Sequence, residues 1–158
     1  MKGKTNYHRW MRRGMGENNL MLDHVNFSVN NLEESIEWYS RVFSYKVVER
    51  GTQDGQLWGI MRSGEALLCM YENPELKLLD RFDSAKLGVH YVSHVGVRIS
   101  DRGAWESVIE RENLEIQYDG VMRMPHSHAW YVIDPTGWEI EVTLWDDGPC
   151  FDHAKHTI

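Results

Sequence analysis

At 158 residues, with 42% apolar and 26% charged side chains, the chain is long enough to bury a core and too apolar to be disordered throughout. A net charge of −7 argues against a general nucleic-acid binder, and no run of about 18 apolar residues offers a membrane-spanning helix. The only cysteines, Cys69 and Cys150, exclude a disulfide scaffold and a four-cysteine zinc ribbon.

Residues 1–20 form a basic extension. Lys2, Lys4, Arg9, Arg12 and Arg13 against Glu17 give net +4, which leaves −11 for the remainder. This start has no apolar stretch of the secretory kind, so a cytoplasmic location is the default expectation. A flexible arm, a transit segment and an anion-binding tail all remain open for it.

The first patterned segment, Leu22-Asp23-His24-Val25-Asn26-Phe27-Ser28-Val29, alternates as a half-buried strand does. Val25, Phe27 and Val29 share one face; His24, Asn26 and Ser28 share the other. Asn31, with Glu34 three residues on, predicts a helix start, and the helix runs from Leu32 to Phe43 with Ile36, Tyr39 and Phe43 on one face. Strands are predicted over Lys46–Arg50, Gln56–Arg62 and Ala66–Tyr71, punctuated by Gly51, Asp54-Gly55 and Ser63-Gly64.

The same order then recurs. Val92–Ile99 alternates with His94, Gly96 and Arg98 opposite Val95, Val97 and Ile99. Ser100-Asp101 starts a helix marked by Ala104, Trp105, Val108 and Ile109. Strands are predicted over Glu115–Tyr118, His128–Ile133 and Trp138–Leu144. The chain therefore reads as an internal repeat: a βαβββ module over residues 21–72, a connector over 73–91, a second βαβββ module over 92–145 and a tail over 146–158. The fold class is α+β.

In each module the apolar face of the opening strand packs on its own helix, so the face bearing the histidine points into whatever the sheets enclose. The last strand adds Glu139 and Glu141 on that inner face, opposite Ile140, Val142 and Leu144. An inward carboxylate is unfavourable unless paired or bound to a metal. Two readings fit. Either His24, His94 and Glu141 hold a divalent ion with open positions, suited to Fe(II), Mn(II) or Zn(II), or Glu141 pairs with Arg98 and nothing binds metal.

The segments Asp23-His24-Val25, Asn31-Leu-Glu-Glu-Ser-Ile-Glu-Trp-Tyr39, Ser93-His94-Val95 and Tyr131-Val-Ile-Asp134-Pro-Thr-Gly137-Trp-Glu-Ile-Glu141 resemble the vicinal oxygen chelate superfamily. That superfamily includes glyoxalase I, extradiol dioxygenases, fosfomycin-inactivating thiol transferases, methylmalonyl-CoA epimerase and metal-free bleomycin-resistance proteins. The resemblance spans roughly Leu22 to Trp145. It implies two curled mixed sheets around a cup, with His24, His94 and Glu141 as metal ligands.

Departures narrow the reaction. Where glyoxalase I and the epimerase place a fourth ligand, this chain has Leu68 or Cys69; Glu72 falls late in the strand. The first module resembles the bacillal fosfomycin enzymes, whereas the segment before Tyr131, Arg123-Met-Pro-His126-Ser-His128, lacks their potassium- and phosphonate-binding pattern. The run from Tyr131 to Glu141 is close to the extradiol signature, but that family's upstream histidine falls near Met122, and His90 stands at a different spacing from its catalytic histidine.

The resemblance therefore implies a small metal-dependent enzyme, with an Fe(II) extradiol-type dioxygenase acting on a catechol-like or oxygen-rich substrate placed first. A fosfomycin-type thiol transferase or other glyoxalase-like metalloenzyme, and a metal-free antibiotic-binding protein, are the alternatives. Tyr131 is a candidate hydrogen-bond donor to substrate or a core aromatic; His126 and His128 are candidate acid–base groups at the rim or plain loop histidines. Arg98 and Asn26 are candidate substrate-binding residues, with Arg98 either anchoring an anion or neutralising Glu139. A C2 homodimer is expected, because apolar strand edges are covered on assembly.

Overall fold

In β1 (His24–Val29) the side chains fall alternately on an open face and a buried one: His24 and Asn26 are exposed, whereas Phe27 and Val29 are buried. The computed structural model to which this strand belongs describes residues 22–89 and 91–146. The basic extension of residues 1–20, His90, and the tail beyond Asp146 with Cys150 lie outside the described residues.

Helix α1 (Leu32–Phe43) begins where the sequence predicts. The Asn31 side-chain oxygen accepts the Glu34 N–H at 3.0 Å, satisfying one of the free donors of the first turn. It ends at Ser44 in the left-handed region, φ 57°. Strands β2 (Lys46–Gln53), β3 (Gln56–Ser63) and β4 (Ala66–Glu72) follow, and the sheet order is β1-β4-β3-β2, with β1 parallel to β4. Gly59 lets the helix sit close: a Cβ there would stand 3.4 Å from Leu32 Cδ1 and 3.5 Å from Ile36 Cδ1.

The second module repeats this plan with β5 (Val95–Ile99), α3 (Arg102–Glu112), β6 (Met122–Met124), β7 (Ser127–Ile133) and β8 (Glu139–Trp145). Its sheet order is β5-β8-β7-β6, with β5 parallel to β8, and Asp101 caps α3 by accepting from Ala104 N–H. The two modules thus have one topology, as the internal repeat predicts.

One expectation needs correction. The segment Glu115–Tyr118 is not a strand. Tyr118 and Asp119 both take positive φ, and only Gln117 N–H reaches the next strand, at Tyr131 O, so the ladder cannot propagate. The short β6 takes that place in the sheet. The connector carries a helix, α2 (Arg81–Leu87), capped by Asp80, whose carboxylate accepts from Phe82 and Asp83 N–H at 2.8 Å.

The modules are joined through side chains conjugate to both. The Trp138 indole N–H donates to Ser28 O at 2.8 Å, Phe27 meets Trp138 edge-on at 5.5 Å, and Phe43 stacks on Trp105. Buried Asp134 is the polar pin. One oxygen accepts the N–H groups of Thr136, Gly137 and Trp138 at 2.8–2.9 Å, and the other accepts the Tyr39 hydroxyl at 3.1 Å. Gly137 closes this turn at φ 111°, where a side chain would be strained. Burial pushes the Asp134 carboxyl above its ordinary range, and these donors pull it back. Asp134→Ala strands buried donors in both modules and is expected to cost about 3 kcal/mol, roughly 6–12 °C in Tm, measurable by urea and thermal unfolding.

Candidate metal and substrate site

Directly opposed residues on neighbouring strands point to the same side of a sheet. Gly96, Glu141 and Tyr131 form one such row, and Val97, Val142 and Trp130 form the next. The second row joins the helix-facing core, so Glu141 and Tyr131 face the concave side. His94, just ahead of β5, meets them there: its Nε2 lies 2.9 Å from Glu141 Oε2, and its ring stands edge-on to Tyr131 at 5.6 Å. The other Glu141 oxygen accepts the Thr143 hydroxyl at 2.9 Å.

This pair suits a metal ion by donor type. At 2.9 Å, His94 Nε2 and Glu141 Oε2 meet directly as an ion pair. An imidazole nitrogen and a carboxylate oxygen are the donor types that Fe(II), Mn(II) and Zn(II) take.

His24 lies elsewhere in the chain's own geometry. It sits on the concave face of the first sheet, 44% exposed, with Nδ1 2.7 Å from Asp23 Oδ2. Among the described residues no three His, Cys, Asp or Glu side chains come together as a metal-holding group. Asn26 shares the face of His24 and lies opposite Cys69. Burial, then the Asp23 charge, pushes the Cys69 thiol up, away from the thiolate that binds metal. Glu72 accepts the Leu32 N–H at 2.8 Å and so serves the start of α1.

Around His94 and Glu141 the structure gathers residues that sequence reasoning left aside. Arg81 of α2 lies over the rings of Tyr118 and Tyr131, 5.0 and 5.7 Å from their centroids, and its guanidinium is 3.2 Å from Glu139 Oε1. The Tyr118 hydroxyl donates to the other Glu139 oxygen. A groove of about 280 Å³ runs between the connector and this sheet, lined by Arg81, Phe82, Tyr118, Trp138 and Glu139 among others. The cation that neutralises Glu139 is thus Arg81. Arg98 is exposed and enters none of the ion pairs among the described residues, so the alternative pairings with Glu139 or Glu141 are not formed.

The histidines of the β6–β7 turn are also placed. His128 lies opposite Leu144, on the helix-facing side, beside Trp130 and near the Arg123–Asp146 ion pair. It points away from Tyr131, which corrects its expected place at the cup's rim. His126 is exposed in the turn, where its carbonyl accepts the Asp146 N–H.

Tyr131 is 4% exposed. Burial first, then the Glu141 carboxylate, push its phenol up to about 12, against a smaller opposing effect of Arg81. It therefore remains a hydrogen-bond donor throughout the neutral range. Because the folded protein holds this proton above the ordinary tyrosine value of about 10, stability contributed by Tyr131 is complete below pH 10 and is lost as pH rises toward 12. Urea unfolding should show a shallower decline over that window in Tyr131→Phe than in the native protein.

Residues 21–142 match the family model of the Glyoxalase/Bleomycin resistance protein/Dioxygenase superfamily. The chain belongs to this superfamily. No curated protein gives a match. Among solved structures, the chain is similar to a glyoxylase/bleomycin resistance protein/dioxygenase domain from Frankia sp. EAN1pec, at 16% identity and TM-score 0.67, covering 82% of this chain and 95% of that one. It is similar to lactoylglutathione lyase from Agrobacterium tumefaciens at 19% identity and TM-score 0.56, covering 78% and 92%. A mutant of the Listeria monocytogenes fosfomycin resistance protein FosX, complexed with Mn(II) and 1S,2S-dihydroxypropylphosphonic acid, is similar at 12% identity and TM-score 0.58, covering 77% and 90%. At these identities the likeness to solved structures concerns the fold. The superfamily includes enzymes.

Proposed function

We propose that the protein is a metal-dependent enzyme that binds a small oxygen-rich molecule through two adjacent oxygens. The observation that carries this reading is the convergence of two metal-donor groups, His94 Nε2 and Glu141 Oε2, 2.9 Å apart on the concave face. His24 supplies the third ligand. Because His24 does not join the other two within the described chain, the reading includes a C2 homodimer in which the His24 of a second copy meets the His94 and Glu141 of the first.

A bound divalent ion supplies Lewis acidity toward the substrate's paired oxygens. The chain's own residues do the rest. Tyr131, held protonated, donates a hydrogen bond to a substrate oxygen. Three protein ligands leave about three positions of an octahedron open, so the reaction placed first is extradiol-type cleavage of a catechol-like substrate with Fe(II). Oxygen uptake by Fe(II)-loaded protein over a panel of catechols tests it.

A second reading, Mn(II)-assisted addition of a thiol or water, is favoured by Arg81. Its guanidinium in the groove would suit a substrate bearing a phosphonate or carboxylate. That reaction proceeds without oxygen, and the thiol branch needs added thiol.

A further inference from the structure

Among the described residues, two buried polar atoms at the site lack hydrogen-bond partners: His94 Nδ1 and Glu139 Oε1. They face each other at 3.6 Å. Arg81 lies 3.2 Å from the same Glu139 oxygen, an ion-pair distance outside hydrogen-bond geometry. Buried unpartnered groups are unfavourable, and native proteins tolerate few of them. Here the two are complementary, and each lies within a small ring rotation of relieving the other.

The chemistry of a ligating imidazole explains the pairing. If His94 gives its Nε2 lone pair to a metal, its proton must reside on Nδ1. That N–H is buried and needs an acceptor, and the carboxylate facing it is Glu139. A ligating histidine backed by a carboxylate is held in one tautomer and one ring orientation, and its basicity toward the metal rises.

We infer that Glu139 is the positioning residue of His94: its carboxylate accepts the Nδ1 proton and thereby fixes Nε2 for metal binding. Tyr118 and Arg81 hold that carboxylate in turn, Tyr118 by donating to one oxygen and Arg81 by its charge beside the other. The segment between α3 and β6 and the connector are thus tied to the metal site through one side chain. This inference rests on the proposed metal site.

Competition against a chelator, with Mn(II) and Zn(II) as probes, tests it. Glu139→Ala should bind either ion about 10- to 100-fold more weakly than the native protein. Glu139→Gln separates orientation from charge. Its carbonyl still accepts from Nδ1–H, so it should fall between the native protein and Glu139→Ala, whereas a pure charge effect would place the two variants together. In ¹⁵N-histidine spectra of the Zn(II)-loaded protein, a protected Nδ1–H should be present in the native protein and in Glu139→Gln, and absent in Glu139→Ala. If Glu139→Ala fails to fold, the Gln variant and this signal still decide. Metal binding that His94→Ala abolishes and both Glu139 variants leave intact would overturn the positioning role alone. A native protein that binds neither ion would overturn the metal site as well.

Discussion

His94→Ala should lower metal content on the order of 100-fold, and His24→Ala should do the same from the other sheet. Neither change should touch the core. His94 lies on the concave face, and the helix-facing rows that stabilise the second module run through Val142, Ile140 and Trp130. Metal loss and unfolding are then separable by metal analysis and thermal melting. The stronger test is to mix the two variants. If each site takes His24 from one copy and His94 with Glu141 from the other, every mixed dimer contains one intact site and one doubly broken site. Random pairing then restores metal to about a quarter of the sites. Were both histidines drawn from one chain, mixing would restore none. Sedimentation that shows only monomer at high micromolar concentration removes the shared site at the outset.

The residues that made this site legible in the sequence are those governed by strand parity. His24 and His94 occupy the same depth in two repeated strands, and the alternation from Glu139 to Leu144 assigns Glu141 to the concave face without any coordinates. The same parity also held the answer for His128. Counting back from buried Tyr131 places His128 with Trp130 and Val132, opposite Leu144 rather than over the cup. The capped helix of the connector was likewise available, since Asp80 and Gly88 bracket Arg81–Leu87 as cap residues do. What periodicity does not encode is the path of that connector. Nothing in the pattern brings Arg81 across the second sheet to Tyr118, Tyr131 and Glu139, because that contact depends on how two irregular segments, residues 73–80 and 113–121, cross the concave face. The loss of the predicted strand at Glu115–Tyr118 has the same origin: two successive positive φ values are set by the turn that delivers Tyr118 to Glu139.

Oxygen uptake should separate the reactions. Iron-loaded native protein is expected to consume oxygen with a catechol-like or enediol-like substrate, and Glu141→Ala should abolish this by removing both a ligand and the partner of His94. Tyr131→Phe should lose less, about 10- to 100-fold, because it deletes one hydrogen bond donated to the substrate while leaving the ligands in place. The placement of His128 sharpens this expectation. With that ring on the helix-facing side, His94 meets Glu141 and Glu139, and the concave face of the second sheet also presents the phenols of Tyr118 and Tyr131. These are donors at neutral pH, since burial holds both Tyr118 and Tyr131 above the ordinary tyrosine range. The rate should therefore depend on a substrate that reaches the site already ionised or loses its proton on binding, and more acidic catechols should react faster at a fixed pH. An anaerobic turnover with Mn(II) and added thiol, abolished by Arg81→Ala, would instead establish the addition reaction. Binding of a ligand that survives complete chelation would point to sequestration. No oxygen uptake by iron-verified protein across a broad panel would end the dioxygenase reading, while the superfamily and the pairing of His94 with Glu141 would stand.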